Sequence, residues 1–441
     1  MLPHVAFLLA LPAVTVAGCD GISDATPPDA SPAGGAPDAA SPDANQPDAT
    51  LPDATPPDAA PPDAAPPAPS GWSVLFPGES GPTLAVTHDA IFTLSFSDSP
   101  RRARIHRIVD GVVTASAEIA ASTAEIVANA DAAYVVLRIS GVVDMWGTPT
   151  GVAGQDSLVV ARLDANAQAT WRLVYSDIVN VQPLGLGVSD IGKVVLGRQN
   201  GRYPSPESYS LTWINATTGE EFASRFLPHL DGLAVSTNGK VFVSGYLLTG
   251  DGIGGHYAQT AETFVAKFSP GSSGPSFLRI FPDLFSVRMR GLDDGDPILS
   301  RETAQGRTEL SRLSGASGAT LWTTLHDAAE GTSYNGLVSA GAEGFYLFGS
   351  FNDRVDFSTT IRLVSDGSGD AFLARFDGSG SALAAKRIGS PGFDSASGFV
   401  PSASAPGGCD ILAGTLGAPA NVAELHLPAG ATGAFVSAMC P

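Results

Sequence analysis

Apolar and polar residues alternate in a phrase that recurs along residues 72–441. The segment Ala-Phe-Leu-Ala-Arg-Phe-Asp at 371–377 has apolar side chains alternating with small or charged ones. This period of two is typical of a strand with one buried face. The matched central positions of seven such segments are Arg107, Arg162, Trp213, Lys267, Arg312, Arg375 and Ala438. Their spacing of 45 to 63 residues predicts a repeated unit of structure.

A second phrase precedes each of these strands and consists of an apolar strand, a Gly/Asp/Asn turn and another apolar strand. Asn238-Gly239 joins two such runs, and this dipeptide is typical of a tight primed hairpin turn. The copies of this phrase lie at 83–97, 124–140, 185–199, 232–246, 286–303, 336–350 and 397–417. A short run such as 169–175 or 319–325 follows each alternating strand except the last and supplies a fourth strand.

Four antiparallel strands in roughly 45–60 residues correspond to one blade of a β-propeller. Both phrases occur seven times, so the sequence predicts an all-β, seven-bladed propeller over 71–441. Residues 72–76 form a strand with no partner before them, and the last unit, 397–441, lacks a fourth strand. Because open sheet edges are a liability, we expect strand 72–76 to complete that last blade and close the ring.

These phrases resemble the repeat of a bacterial seven-bladed β-propeller family. The segments "AETFVAKFSPG", "DAFLARFDGSGSALAAKRIGS" and "NGKVFVSGYL" carry the resemblance, which is strongest at 230–270 and 334–390. Units near 83–140 and 286–313 depart from it because their second strand lacks flanking glycines. Many members of that family are exported or surface proteins without an assigned activity, so the resemblance implies a fold and a location.

Residues 1–18 have the features of a signal peptide. The apolar stretch 5–18 is too short to span a membrane and ends in Val-Ala-Gly before Cys19. That ending resembles the lipobox of bacterial lipoproteins, which predicts lipidation of Cys19 and a lipid anchor in the bacterial cell envelope. The alternative is an ordinary signal peptide with a coincidental cysteine. The leader also lacks Lys and Arg, so either its start is atypical or the start codon is assigned too late.

Residues 19–70 are predicted to be a disordered linker. Fourteen prolines and nine aspartates fall within 20–70, with no aromatic or basic residue, and Pro-Asp-Ala recurs every five residues from position 37. Such a segment has little apolar surface to bury, and its like charges repel. We interpret it as a spacer that holds the propeller away from a lipid surface. The alternatives are a ligand for a proline-binding module and an O-glycosylated stalk.

The charge limits the class of partner. The formal net charge is −20, of which the linker supplies −9. Nucleic acids and anionic membrane surfaces require a basic protein face, so neither is an expected partner. The membrane is therefore expected to be contacted only through the lipid anchor, and we expect a monomer.

Cys409 and Cys440 remain once Cys19 is assigned to the lipid. Both fall in the final unit of a chain that we expect in an oxidising compartment, which predicts a disulfide that fastens the last strand to its blade. The alternative is a pair of buried free thiols.

The sequence offers no metal, cofactor or catalytic motif. The seven histidines include no pair at metal-ligand spacing, and there is no Gly-x-Ser-x-Gly or Gly-Lys-Ser/Thr motif. We expect these histidines to be surface residues or hydrogen-bonded core residues. Acidic loops at 293–296 and 366–370, and Asp251, are weak candidates for calcium, since Asp and Gly are also what turns require.

Two functions follow from these observations. The first is a binding scaffold that presents one face and the central channel to an extracellular protein or glycan. The second is an extracellular enzyme, of lyase or glycosidase type, with a site at the ring's axis, because a propeller gathers residues there from distant parts of the chain. A cluster of acids and histidines with perturbed pKa values at the axis would favour the enzyme. A broad aromatic patch on one face would favour binding.

Overall fold

In the computed structural model, the described part of the chain is built almost entirely from β-strands. Contacts divide the chain into two units, Met1–Pro66 and Pro67–Pro441. The residues that the structure describes are 71–98, 101–176, 181–200, 208–282, 287–292, 295–302, 307–328, 332–341, 344–420 and 425–440. The predicted signal peptide, Cys19 and the predicted linker lie outside them.

The strands follow the two phrases of the sequence. Those of the first half are β1 (Trp72–Phe76), β2 (Glu79–Val86), β3 (Ile91–Asp98), β4 (Arg101–Val109), β5 (Val112–Ile119), β6 (Thr123–Ala128), β7 (Ala133–Ser140), β8 (Val143–Met145), β9 (Thr148–Thr150), β10 (Asp156–Leu163), β11 (Ala169–Tyr175), β12 (Gln182–Val188), β13 (Lys193–Asn200), β14 (Ser208–Asn215), β15 (Glu221–Leu227), β16 (Gly232–Val235) and β17 (Val241–Leu247). Those of the second half are β18 (Gly252–Ile253), β19 (His256–Tyr257), β20 (Glu262–Phe268), β21 (Phe277–Phe281), β22 (Val287–Gly291), β23 (Pro297–Glu302), β24 (Thr308–Leu313), β25 (Thr320–Ala328), β26 (Ser333–Ser339), β27 (Phe345–Phe351), β28 (Arg354–Asp356), β29 (Arg362–Val364), β30 (Asp370–Phe376), β31 (Ala382–Ile388), β32 (Ser395–Val400), β33 (Asp410–Ala420) and β34 (Ala431–Met439). A 3₁₀ turn, Pro406–Gly408, precedes β33.

These strands form the seven predicted blades, each a sheet of four antiparallel strands. Blade 1 is β2-β3-β4-β5, blade 2 is β6-β7-β10-β11, blade 3 is β12-β13-β14-β15, and blade 4 is β16-β17-β20-β21. Blade 5 is β22-β23-β24-β25, blade 6 is β26-β27-β30-β31, and blade 7 is β32-β33-β34-β1. The units near 83–140 and 286–313, which depart from the family phrase, therefore form complete blades as well.

The core of the ring lies between the faces of neighbouring blades. The alternating strands supply many of the large side chains that are fully buried there, among them Trp213, Phe264, Phe372 and Phe435. Burial of each side chain away from water stabilises the fold by on the order of 2 kcal/mol. Successive side chains of these strands thus face the two neighbouring blades in turn, and this is the alternation seen in the sequence.

The matched central positions also share a backbone irregularity. A β-bulge between the third and fourth strands comes directly after the matched residue in five blades, at Arg107, Arg162, Trp213, Arg312 and Arg375. A bulge inserts one extra residue and increases the local twist. The repeat in the sequence therefore encodes the register of the outer strand as well as its alternation.

Aromatic residues of the fourth strands fasten one blade to the next. The Nε1 of Trp171 donates to Ala216 O of the neighbouring blade at 3.1 Å, and its ring covers Gly219, where φ is 76°. A Cβ on Gly219 would lie 2.7 Å from that ring. The same packing recurs for Trp72 on Gly111, Phe277 on Gly318 and Trp322 on Gly380. Glycine is thus required in the turn between strands three and four for two reasons. The backbone there is left-handed, and a Cβ would collide with the aromatic ring of the neighbouring blade.

The ring closes as predicted, because β1 completes blade 7. It pairs antiparallel with β34 over five residues, from Trp72 opposite Ala438 to Phe76 opposite Ala434. Phe76 is buried, and the Ser73 Oγ donates to His426 O at 2.7 Å. The first described strand therefore covers the edge that the last strand would otherwise expose.

The predicted disulfide lies in this closing blade. Cys409 and Cys440 are bonded, with their Cα atoms 4.4 Å apart, and they are 31 residues apart in the chain. Cys409 comes directly before β33 and Cys440 directly after β34. The bond joins the two strands at the end of the blade where β1 begins.

The hairpin at Asn238-Gly239 differs in type from the predicted primed turn. Ser236 O accepts from Gly239 N at 2.8 Å, and Gly239 has a φ of 78°, whereas Asn238 is not among the residues with positive φ. The Ser236 Oγ accepts from Lys240 N at 3.1 Å, so a serine side chain supports a longer turn. The dipeptide predicted the hairpin correctly and its geometry wrongly, because this side-chain bond selects the four-residue form.

Candidate ligand-binding face and central channel

The first strands of the blades form the inner wall of the ring. Each inner strand contacts the inner strands of the two neighbouring blades, and β32 contacts β2 to complete the circuit. The inner strands therefore enclose the central channel. Loops between second and third strands, and those joining consecutive blades, meet at one end of this channel. The tight turns within the hairpins lie at the other end.

In the ranges that the structure describes, three inserted hairpins lie at the first of these ends. They are β8–β9, β18–β19 and β28–β29, and each interrupts the connection between the second and third strands of its blade. We call this end of the ring the insertion face. The two motifs of the sequence gave no expectation of these hairpins, which are short departures from the repeat. Unequal loops on one face of a regular scaffold are where binding residues are commonly found.

The hairpin of blade 6 reaches its neighbour across the insertion face. Its strand β28 pairs with the end of β25 in blade 5, placing Asp356 opposite Asp327 and Val355 opposite Ala328. Val355 and Phe357 are buried beneath the hairpin. Arg362 donates to Asp356 through its Nε at 2.6 Å, so the hairpin is held by apolar and charged contacts. The hairpin is therefore an ordered part of the insertion face.

The hairpin of blade 4 combines a buried anchor with an exposed aromatic ring. Ile253 and Ala258 belong to the apolar core of blades 3 and 4. Tyr257, between them, is 68% exposed. His256 Nε2 lies 2.6 Å from Glu262 Oε2, which fixes the hairpin to β20. Tyr257 is therefore held on a fixed support with its ring open to solvent.

Other aromatic side chains also lie on this side of blades 3 and 4. Phe226, near the end of β15 at the insertion face, is 74% exposed. The ring of Tyr209 is tilted against that of His229 at a centroid distance of 4.5 Å, and His229 stacks on Tyr246 at 3.9 Å. Exposed aromatic rings are enriched where proteins bind other molecules, since they supply large contact area at low entropic cost. We call Phe226 and Tyr257 the aromatic pair.

Glu125, on the channel wall, is a carboxyl group with a strongly shifted pKa. Glu125 lies on β6, and its Oε2 accepts from Leu186 N of the neighbouring inner strand at 3.0 Å. Burial raises the pKa of Glu125 to about 7, although this hydrogen bond and the charge of Arg290 act in the opposite direction. Arg290 is on β22 and is exposed. Glu125 of blade 2 and Arg290 of blade 5 thus carry opposite charges that act on each other across the channel wall.

The sequence did not single out Glu125. The sequence contained one signal, since Glu125 stands directly before the apolar residues Ile126-Val127 of a predicted inner strand. A buried strand rarely carries an unpaired carboxyl group. Its significance depends on Leu186 and Arg290, which are 61 and 165 residues further along the chain. Only the closed ring brings these residues together.

Substitution of Glu125 by glutamine is expected to change how stability depends on pH. The folded pKa of about 7 lies above the ordinary value of 4.5, so ionisation opposes folding. This cost is absent below about pH 4.5, grows up to about pH 7 and is constant above it. E125Q should therefore gain on the order of 1 kcal/mol over the wild type between pH 4.5 and 7.5, allowing for solvent in the channel. Urea unfolding at both pH values measures this gain.

The exposed Glu220 provides the matched control for that experiment. E220Q measures, at the same two pH values, how removal of an exposed carboxyl group changes stability. An E125Q variant whose difference from the wild type is the same at both pH values would show that Glu125 ionises in the folded protein as it does in the unfolded chain.

The acidic residues considered for calcium are engaged in turns and ion pairs. The Asp251 Oδ2 accepts from Leu248 N at 2.8 Å, and Asp296 accepts from Arg312 and from Gly315 N. Asp370 accepts from Asp366 N and Arg387. Asp293 and Asp294 lie outside the described residues. Within the described ranges, no group of three or more His, Cys, Asp or Glu side chains is placed to hold a metal ion.

The described histidines have varied surroundings. The His326 Nδ1 lies 3.1 Å from Phe357 O in a buried site, and burial lowers the pKa of His326. His256 contacts Glu262. His106 contacts a glutamate and a serine at once, an arrangement that the sequence did not predict.

In the part of the chain described, no helix has the length and apolar character to cross a membrane.

Comparison with known proteins leaves the family of this chain open. No family model matches the chain, and no curated protein matches it. The WD40 domain of coronin from Toxoplasma gondii is 11% identical over 85% of this chain and 88% of that one, with a TM-score of 0.45. A chain of a mitotic checkpoint complex is 11% identical over 83% and 93%, with a TM-score of 0.45. Puromycin hydrolase is 12% identical over 76% of this chain and 50% of that one, with a TM-score of 0.45. Similarity at this level concerns the fold alone.

Proposed function

We propose that this protein is a lipid-anchored binding scaffold of the bacterial cell envelope, belonging to the seven-bladed repeat family that its phrases resemble. Its propeller binds an extracellular protein or glycan through the insertion face. The observation that carries this proposal is the placement of three inserted hairpins and the aromatic pair at one end of the ring. At the other end, the described connections contain no inserted hairpin.

The chemistry of the channel supports binding more than glycoside hydrolysis. Most glycosidases use two carboxyl groups on either side of the scissile bond. In the described channel wall, the group that acts electrostatically on Glu125 is the cation Arg290. A carboxyl group and a guanidinium suit the recognition of a polar ligand by charge and hydrogen bonding.

An extracellular enzyme with its site at the axis is the second candidate. The pKa of Glu125, about 7, is the observation that favours it, because a general acid or base works best when its pKa is near the working pH. The two candidates differ in what E125Q does. It should abolish turnover if Glu125 is catalytic and leave ligand binding at the aromatic pair intact if the protein is a scaffold.

The binding surface is tested by screening the full chain against polysaccharides and envelope proteins of the host. The double variant F226A/Y257A should bind the identified ligand at least tenfold more weakly, since the rings supply much of the contact. V112A is the matched control, because Val112 is 61% exposed at the opposite end of the ring. Equal loss of affinity in both variants, or unchanged affinity in F226A/Y257A, would contradict the assignment of the insertion face.

The lipid anchor is supported by the lipobox-like sequence before Cys19 and by the acidic, proline-rich linker after it. The variant C19S should appear in the soluble fraction of cells that express the full chain, whereas the wild type should sediment with membranes. Metabolic labelling with a clickable fatty acid should mark the wild type and not C19S. Continued sedimentation of C19S with membranes would show that a different part of the chain attaches the protein.

A further inference from the structure

A polar cluster on blade 1 lies outside the candidate binding site. It is formed by one face of the sheet, the face that packs against blade 7. Glu79 comes from the inner strand β2, His106 from β4 and Ser116 from the outer strand β5. His106 and Ser116 are directly opposite each other in the ladder between β4 and β5.

The three side chains are linked in one line. The Ser116 Oγ lies 2.8 Å from the His106 Nδ1, and the His106 Nε2 lies 3.2 Å from the Glu79 Oε2. Their exposure rises in the same order, since the side chains of Glu79 and His106 are 5% and 12% exposed and Ser116 is exposed. The line therefore leads from a buried carboxylate to a hydroxyl group on the protein surface.

The surroundings of Glu79 keep it ionised. Burial alone would raise the pKa of Glu79, but hydrogen bonds from His106, Ser95 and Arg104 outweigh burial and hold the pKa below its ordinary value. A carboxylate only accepts hydrogen bonds, so the His106 Nε2 carries a hydrogen that it donates to Glu79. In the neutral imidazole the Nδ1 is then the acceptor, and the Ser116 hydroxyl donates to it.

Packing holds the imidazole in this orientation. The ring of Phe76, from the closing strand β1, stacks on His106 with centroids 4.6 Å apart and planes 18° apart. Arg104 bonds both Glu79 and Glu118, at 3.0 Å and 2.9 Å, so a guanidinium also holds the Glu79 carboxylate in place. The imidazole is thus positioned by one ring and one carboxylate, with its Nδ1 directed at Ser116.

We propose that Ser116 is a nucleophile activated by His106, and that this cluster hydrolyses accessible esters of small carboxylic acids. A hydroxyl, an imidazole base and an orienting carboxylate in this order are the elements of nucleophilic acyl transfer. The Ser116 Oγ forms a bond to the acyl carbon, and its proton passes to the His106 Nδ1. The bond to the alkoxide breaks, and the alkoxide leaves with that proton. Water then forms a bond to the acyl carbon, and its proton passes to the His106 Nδ1. The bond from the acyl carbon to the Ser116 Oγ breaks, Ser116 takes the proton back, and the carboxylic acid leaves.

The roles of the three residues are distinct. Ser116 and His106 contact the reacting atoms, and Glu79 is a positioning residue that acts through His106. The site uses a different blade from the aromatic pair and does not depend on the proposed binding function. Failure of one proposal therefore leaves the other standing.

A fluorophosphonate probe incubated with the full chain tests the proposal. A bond forms between the Ser116 Oγ and phosphorus, fluoride leaves, and the proton passes to His106. We expect the adduct on Ser116, located by peptide mass spectrometry, and its loss in S116A. A positioned general base contributes roughly 100-fold or more to rate, so H106Q should label at least 100-fold more slowly. Hydrolysis of p-nitrophenyl acetate should fall in parallel.

Thr114 provides the matched control, since it is an exposed hydroxyl two residues away on β5 and its Oγ1 contacts Arg107. T114A should label and hydrolyse at the wild-type rate. E79Q should slow labelling, and E79D should restore part of the rate, which a merely structural role for Glu79 would not require. Labelling of Ser116 no faster than that of other exposed serines, or equal rates in wild type and H106Q, would overturn the proposal.

Discussion

Deletion of residues 72–76 is expected to destabilise the propeller severely. The deletion removes the outer strand of blade 7, exposes the edge of β34 and uncovers the partners of the buried Phe76. Burial of one large apolar side chain contributes about 1.5–3 kcal/mol, and several residues of this strand are at least partly buried. We expect the melting temperature to fall by on the order of 10 °C, as measured by calorimetry.

A rearranged chain controls for the loss of these residues. Residues 71–77 placed after residue 441, behind a short Gly-Ser linker, would form a hairpin with β34, because β1 and β34 are antiparallel. This variant should recover most of the melting temperature. An unchanged melting temperature in the simple deletion would show that β1 does not contribute to closure.

Loss of the disulfide has the second large expected effect. In the double variant C409S/C440S, the unfolded chain regains the freedom that a bond across 31 residues removes. The chain-entropy relation gives about 3–4 kcal/mol for a loop of this size, with a mechanism that depends on the treatment of the unfolded state. Guanidinium unfolding should show this loss in free energy. The wild type in reducing agent should match the variant, and equal stability of the oxidised wild type and the variant would contradict a formed bond.

The sequence was sufficient to predict the ring, because its signals are local and repeated. Each blade contains its own alternation, turn residues and apolar faces, so the copy centred on Arg375 predicts the same strand as the copy centred on Arg162. The closing strand was predictable because Trp72–Phe76 has no partner nearby and the final unit lacks one. Agreement between a local pattern and a requirement of the whole fold makes such a prediction reliable.

The candidate sites could not be predicted in the same way, since their residues come from different strands and blades. Glu79, His106 and Ser116 show no spacing that relates them, and they meet only when β2, β4 and β5 form one face. Glu125 gains its shifted pKa from inner strands that the closed ring brings together. The inserted hairpins break the repeat, so the pattern that revealed the blades gave no information about them.

The ring has structural consequences beyond its own stability. Phe76 of the closing strand stacks on His106, so the cluster on blade 1 depends on the pairing of the two ends of the propeller. The channel also requires closure, because Glu125 and Arg290 lie on inner strands of different blades. Closure by β1 is therefore the central claim on which both sites depend.

Hydrogen exchange of the backbone amides in the native full chain tests this claim most directly. If β1 is the fourth strand of blade 7, amides of Trp72–Phe76 that pair with β34 should exchange as slowly as those of Phe435–Ala438. Exchange of the Trp72–Phe76 amides at the rate of an unpaired chain, while β34 stays protected, would contradict it.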